Sequence, residues 1–292
     1  MSDTTDLDEE DGPTTFREKV IQEAREWLSV FAWFVPAYLL FTGLVYEQRV
    51  IPSESMVPNL QVGDRVAVNK FAYGYSKHSV PFSLGRYLPL PDGRIFAAMP
   101  KRGDVVVFEH PHTSRVMIKR VIAVGGDRIQ MKDRRFYLNG EQVSTEDIRE
   151  IRIRTHPTRD DPSSIVLVTE SEETYGKTSF LTHQWIKHPD PRRDRNKTDY
   201  DSTVEFIVPE GHLFFAGDNR DNSVDGRSTS GHCQIFDGKI TAAGCPASPN
   251  AAVGFVPLNN VIGRADTVIF TTKRCKAQEG VACPPKRVWR GL

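Results

Sequence analysis

Cysteine is scarce in this sequence, four among 292 residues, and no two stand at Cys-x-x-Cys spacing, which removes the usual support for a zinc site. Net charge is missing as well: 38 basic residues cancel 38 acidic ones, so no global field argues for nucleic acid as a partner. No nucleotide-binding or metal-binding motif and no internal repeat is present, and neither a metal nor a cofactor is expected. Beyond position 50, no 15-residue stretch carries helical periodicity. Disorder is excluded in turn, because 39% hydrophobic side chains beside 26% charged ones suffice to bury a substantial core.

Long apolar runs are absent with one exception. From Trp27 to Tyr46, "WLSVFAWFVPAYLLFTGLVY" holds twenty residues without a charge, enough as a helix to cross about 30 Å of hydrocarbon. Trp27 and Tyr46 stand where interfacial aromatics collect, and Pro36 is tolerable because bilayer helices accept prolines. The competing readings are a buried core helix and a cleaved secretory signal. The latter fits poorly, since its apolar core spans only ~7–15 residues and follows a basic leader. Here the leader is acidic, "MSDTTDLDEEDG", and is expected to be disordered. "TTFREKVIQEAREW" follows, with Thr15 and Glu18 at capping-box spacing for a helix leading into the span. Arg17, Lys19 and Arg25 before the span balance Arg49, Arg65 and Lys70 after it, so charge alone does not orient the chain.

After the span the sequence reads as β. "DRVAVNK", "DVVVFEH", "RVMIKRVIAV", "RIQMK", "RFYLNG", "SIVLVTE", "STVEFIVP", "HLFFAG" and "VIGRADTVIF" are short runs rich in Val, Ile, Phe and Thr between Gly, Pro and Asp. The expected organisation is a tail and juxtamembrane helix (1–26), a transmembrane helix (27–46) and a β core (47–143 and 204–292) interrupted by a β-rich excursion (144–203). Residues 188–202 and 226–254 read as polar surface loops.

Three clusters can carry chemistry. In "IPSESMVPNL", Ser53 and Ser55 stand two apart beside Met56; a serine nucleophile needs a base within reach, and without one the pair is a turn. In "VMIKRVIAVGGD", Lys119 lies among Met117, Ile118, Val121 and Ile122, where it either snorkels outward or is buried. Burial disfavours the ammonium, and a drop of about three units from ~10.4 would make it a base near neutrality. "GDNRDNSVDGR" is dense in Asp218, Arg220, Asp221, Asp225 and Arg227. It imitates the start of a calcium loop but lacks the glutamate at the twelfth position, so a polar scaffold is the better reading.

In order, the apolar run, "PSESMVPNL", "VGDRVAVNKFAYG", "RGDVVVF", "MIKRVIAVGGD", "GDNRDNSVDGR" and "GFVPLNNVIGRA" strongly resemble the bacterial type I signal peptidases. The resemblance touches residues 45–145 and 205–270. It implies a mainly β, membrane-anchored catalytic domain with one N-terminal transmembrane helix. It implies a serine endopeptidase that removes signal peptides from exported preproteins, with Ser55 as nucleophile and Lys119 as general base. Ser53 would share an oxyanion hole with the Ser55 N–H, and Ser223 would hydrogen-bond the lysine. Asp218 with Arg120, and Asp225 with Arg227, match supporting positions; Ile51, Met56, Leu60 and Ile118 match positions lining shallow pockets for small substrate residues. The implied partners are signal peptides and the bilayer, with a monomer as the working unit.

Departures from the family pattern are Glu54 for Gly, Asn59 for Thr, Gly226 for Ser, Arg49 at a usually apolar position, and about 26 extra residues before "GFVP". Two other readings compete. A self-cleaving Ser-Lys repressor is argued against by the apolar anchor, and an inactive membrane-anchored β module binding exported chains by the intact Ser55, Lys119 and Ser223. Cys233 and Cys245 flank an 11-residue loop, and Cys275 and Cys283 flank 7 residues. Two local disulfides are expected, although four cysteines allow three connectivities. In a bacterium disulfides persist in the periplasm. This places residues 47–292 outside the inner membrane; four free thiols in a cytosolic domain is the contrary reading.

Overall fold

Phe16 to Leu44 form one continuous helix, α1, in a computed structural model of the chain. The structure describes residues 16–80, 85, 87, 89, 93–113, 115–155, 164–186, 201–227, 235–236, 239–240, 253–273, 275 and 277–292. The helix joins the expected juxtamembrane segment to most of the expected span and contains Pro36. It is long and apolar enough to cross a membrane. Trp27, Trp33 and Phe34 are 63%, 84% and 61% exposed, so among the described residues no core receives its apolar surface. The acidic leader, Thr15, Cys233, Cys245 and most of the 188–202 and 226–254 loops lie outside the described residues.

The rest is β. Strands β1 (Tyr46–Val50), β2 (Asp64–Asn69), β3 (Val105–Glu109), β4 (Val116–Val124), β5 (Arg128–Lys132), β6 (Arg135–Leu138) and β7 (Glu141–Gln142) lead to the long strands β8 (Ser144–Arg154), β9 (Ile165–Tyr175) and β10 (Thr178–Trp185). β11 (Phe206–Ile207), β12 (His212–Ala216), the pair β13 (Ile235–Phe236) and β14 (Lys239–Ile240), β15 (Phe255–Pro257), β16 (Val261–Thr271) and β17 (Val288–Gly291) follow. The largest sheet runs β1-β2-β16-β3-β4-β12-β15, with β17 beside β16. β11-β5-β6-β7 form a second sheet and β10-β9-β8 a third.

β3, β4 and β12 are the apolar runs of the sequence, and their residues are mostly buried, as central strands covered on both faces must be. β16 carries three register shifts against its neighbours. Gly263 sits at one of them, where a Cβ would come within 2.5 Å of the Asn69 carbonyl oxygen. Only glycine admits that backbone approach. β8, "STEDIREIRIR", is an edge strand with mostly exposed side chains. Its charges protect an edge and hide it from a search for apolar runs.

Candidate active site

Residues 51–64 form a turn between β1 and β2, closed by Ile51 N–H to Asp64 O at 2.8 Å and Gly63 N–H to Ile51 O at 2.9 Å. Leu60 N–H donates to Met56 O at 2.8 Å, which tightens the stretch after Ser55. Ile51, Met56 and Leu60 point into an apolar cluster with Ile118, Val66, Val68 and Val105. This burial anchors the turn against β4. Ser55 is thereby held over the sheet and is itself only 7% exposed.

Lys119 sits in the middle of β4, opposite Val106 of β3, and is 3% exposed. Its Nζ donates to Ser55 Oγ. Burial pushes the Lys119 ammonium down to about 8; Asp225 and Asp218 oppose this, and Arg227 adds to it. Desolvation therefore wins over two carboxylates because neither makes a direct contact with Nζ. Ser53 Oγ lies 3.4 Å from Ser55 Oγ, and Ser53 is an exposed residue. The Ser55 N–H takes part in no hydrogen bond among the described residues.

The third cluster closes the site from the other side. Asn219 N–H donates to Ser55 O at 3.1 Å. A Cβ on Gly217 would lie 2.5 Å from both Ser55 O and Ser223 Cβ, so the glycine lets this loop touch the serine's backbone. Arg120 grips Asp218 through two bonds of 2.8 and 2.7 Å, donates to Gly103 O at 2.7 Å and lies 3.8 Å over the Phe180 ring. Arg227 holds Asp225 at 3.0 and 2.9 Å, and Asp225 also accepts from Gly217 N–H at 2.9 Å. Burial pushes the Asp225 carboxyl up, but Arg227 and these donors bring it below its ordinary range. Both pairs are buried, bidentate and further hydrogen-bonded, the condition under which buried charge is tolerated.

Ser223 belongs to the same loop, yet its buried Oγ has no hydrogen-bond partner among the described residues. The expected bond to Lys119 is not formed here. The departures are accommodated. Asn59 Nδ2 donates to Asp218 at 2.8 Å and to Leu181 O at 2.7 Å. Gly226 fits where a Cβ would meet Phe214 and Phe215 O at 2.9 Å. Arg49 is ion-paired with Glu47 in the same strand. Glu54 accepts from Asn222 Nδ2 at 3.1 Å, and burial raises its carboxyl to about 7 against that bond.

Sequence reasoning missed a buried pair that fastens the third cluster. Arg220, 2% exposed, donates to Glu173 of β9 at 2.8 Å and to Gly217 O at 3.0 Å, fastening the third cluster to the three-stranded sheet. Its partner lies 47 residues away, and no local spacing could announce it. A disulfide links Cys275 to Cys283.

Fold and site thus define a β-rich domain behind an apolar helix, with a serine and a lysine in contact under cover from solvent. Residues 24–270 match the family described as "Signal peptidase, peptidase S26", and the chain belongs to this family. Proteins named Signal peptidase I are its relatives. That of Rickettsia bellii (strain OSU 85-389) is 32% identical over 251 residues, 86% of this chain and 74% of that one. That of Rickettsia canadensis (strain McKiel) is 33% identical over 253 residues, 86% and 81% of the two chains. That of Rickettsia typhi (strain ATCC VR-144 / Wilmington) is 31% identical over 258 residues, 87% and 83%. The chain is an enzyme of the type I signal peptidase kind.

Proposed function

We propose that this chain is a membrane-anchored serine endopeptidase that removes signal peptides from exported preproteins, with Ser55 as nucleophile and Lys119 as general base. The contact of Lys119 Nζ with Ser55 Oγ inside an apolar surround carries the reading. When Lys119 is neutral its lone pair takes the Ser55 proton as Oγ attacks the scissile carbonyl carbon. The carbonyl oxygen becomes an oxyanion, held by the Ser55 N–H and the Ser53 hydroxyl. Lys119 then protonates the leaving amine, and a water deprotonated by Lys119 releases the acyl group and restores Ser55. Asp218, Arg120, Asp225 and Arg227 act by holding the third cluster against Ser55.

Ile51 and Ile118, the two of the four that keep any exposed surface, offer the apolar floor for small substrate side chains, while Met56 and Leu60 are fully buried and support the turn from within the same cluster. Helix α1 spans the bacterial inner membrane, so the serine lies just beyond the bilayer that holds its substrate. The Cys275–Cys283 disulfide supports a periplasmic catalytic domain. Detergent-solubilised enzyme given a preprotein should cut once, after a small-x-small sequence, and Ser55→Ala should not cut. Equal behaviour of wild type and Ser55→Ala would falsify the reading.

A further inference from the structure

Beyond the family-matched stretch lies a buried cation that the mechanism above does not use. Arg287, 5% exposed, precedes β17 and reaches back to the turn that carries Ser55. Its Nη2 donates to Pro58 O at 2.5 Å and its Nη1 to Asn59 O. Nη1 also meets Asp64 Oδ2 at 3.2 Å. Asp64, fully buried, accepts from Gln61 N–H at 2.7 Å and from Thr271 Oγ1 at 2.6 Å. One ion pair therefore grips the turn at four points, the carbonyls of 58 and 59 through the arginine, and the residue 61 N–H and position 64 itself through the aspartate.

The grip has its own support. Thr271 N–H donates to Arg287 O at 3.2 Å, and β17 pairs with β16. The hairpin closed by Cys275–Cys283 docks on β8 through Ala282 N–H to Arg152 O at 2.7 Å. Arg287 thus enters the turn from a segment braced on two sheets. A planar guanidinium can serve two adjacent carbonyls and a carboxylate together, which a lysine ammonium on its single nitrogen cannot do in the same geometry. A displacement of about 1 Å in a reacting group costs on the order of 10²-fold in rate.

We infer that Arg287 is a positioning residue: it sets the turn that brings Ser55 Oγ onto Lys119 Nζ, and makes the C-terminal segment a working part of the active site. The inference rests on the Ser55–Lys119 reading. It is tested on the full-length enzyme with Arg287→Gln and Arg287→Lys, using Arg290→Gln, an exposed neighbour in β17, as control. Three readouts are taken: kcat and KM on a preprotein, the melting temperature, and the Lys119 titration by NMR. Arg287→Gln should lower kcat 10- to 100-fold with KM within about two-fold, and should move the Lys119 titration midpoint. Arg287→Lys should restore most of the melting temperature through Asp64 but leave kcat at least about ten-fold down. Arg290→Gln should match wild type.

Recovery of kcat together with melting temperature in Arg287→Lys would mean a purely structural ion pair and overturn the inference, as would a folded Arg287→Gln with wild-type kcat. Should the glutamine variant not fold, the lysine variant decides alone. If wild type cuts no preprotein, the functional reading fails by itself. The Lys119 midpoint, which needs no turnover, then still decides whether Arg287 positions the pair: an unmoved midpoint overturns it.

Discussion

Two strands of this molecule each deliver a lysine to the interior, and they do opposite things with it. Lys70, the residue just after β2, is fully buried and meets Glu47 at 2.7 Å; it also reaches Gly43 O at the end of α1 at 3.5 Å. Lys119, in β4, is 3% exposed and meets a hydroxyl instead. The first is a cation matched by an anion and by the negative end of a helix, so it tethers the helix to the sheet. The second has no carboxylate in contact among the described residues, and burial pulls it to about 8. Burial without a touching counter-charge favours the neutral amine, the form that the proposed mechanism needs.

The sharpest way to break this comparison is to make Lys119 permanently charged. Lys119→Arg is expected to lose about 10⁴-fold in kcat, equivalent to about 5.5 kcal/mol, because arginine keeps its proton. Wild-type kcat should rise with pH through a midpoint of about 8 as Lys119 deprotonates. A flat profile from pH 5 to 9 would contradict the assignment. Ser53→Ala comes next, lowering kcat by 10²–10³-fold, about 2.7–4 kcal/mol, with little change in substrate binding, if Ser53 is an oxyanion donor of typical strength. An equal loss in both would mark a structural role.

Stability separates the two lysines in a third way. The folded-state value of Lys119 lies below its ordinary one, so between about pH 8 and 10.5 the unfolded chain binds more protons and stability rises with pH. Below that window the buried ammonium is a standing cost. Lys119→Met is therefore expected to be inactive yet more stable at pH 6, by up to about 3 kcal/mol, with the gain shrinking above pH 8; denaturant melts at pH 6 and 9 check it. The smallest effect is at the other lysine. Glu47→Gln strands Lys70 without its anion and is expected to cost about 2 kcal/mol, less than for a fully buried pair because Glu47 is partly exposed. Cleavage should stay within about two-fold. A large kcat loss there would mean that the helix tether, too, serves the active site.

Much of this was legible in the linear sequence. Strands β2 to β6, β9, β11, β12 and β16 are read from runs of β-branched and aromatic residues: β3, β4 and β12 because both faces are buried, and the others because such residues suit a half-buried pleated surface. The single charge-free run marks α1, because apolar length has few other uses. The resemblance carried by "PSESM", "IKR" and "GDNRDNSVDGR" pointed to Ser55, Lys119, Asp218, Arg120, Asp225 and Arg227 as site residues, and the fold brings them together. Three-dimensional packing decided the rest. It placed the lysine's nitrogen against the serine's oxygen rather than against a carboxylate, since contact depends on strand register across β3, β4 and β12. It left Ser223 Oγ unbonded. It made strands of the charged "STEDIREIRIR" and the polar "TSFLTHQW" by pairing both with β9. It also joined Arg220 to Glu173 and Arg287 to the 58–64 turn, across 47 and 223 positions of chain. Periodicity and motif report what neighbours in the chain share; a guanidinium's partner is set by which backbone the fold brings beside it.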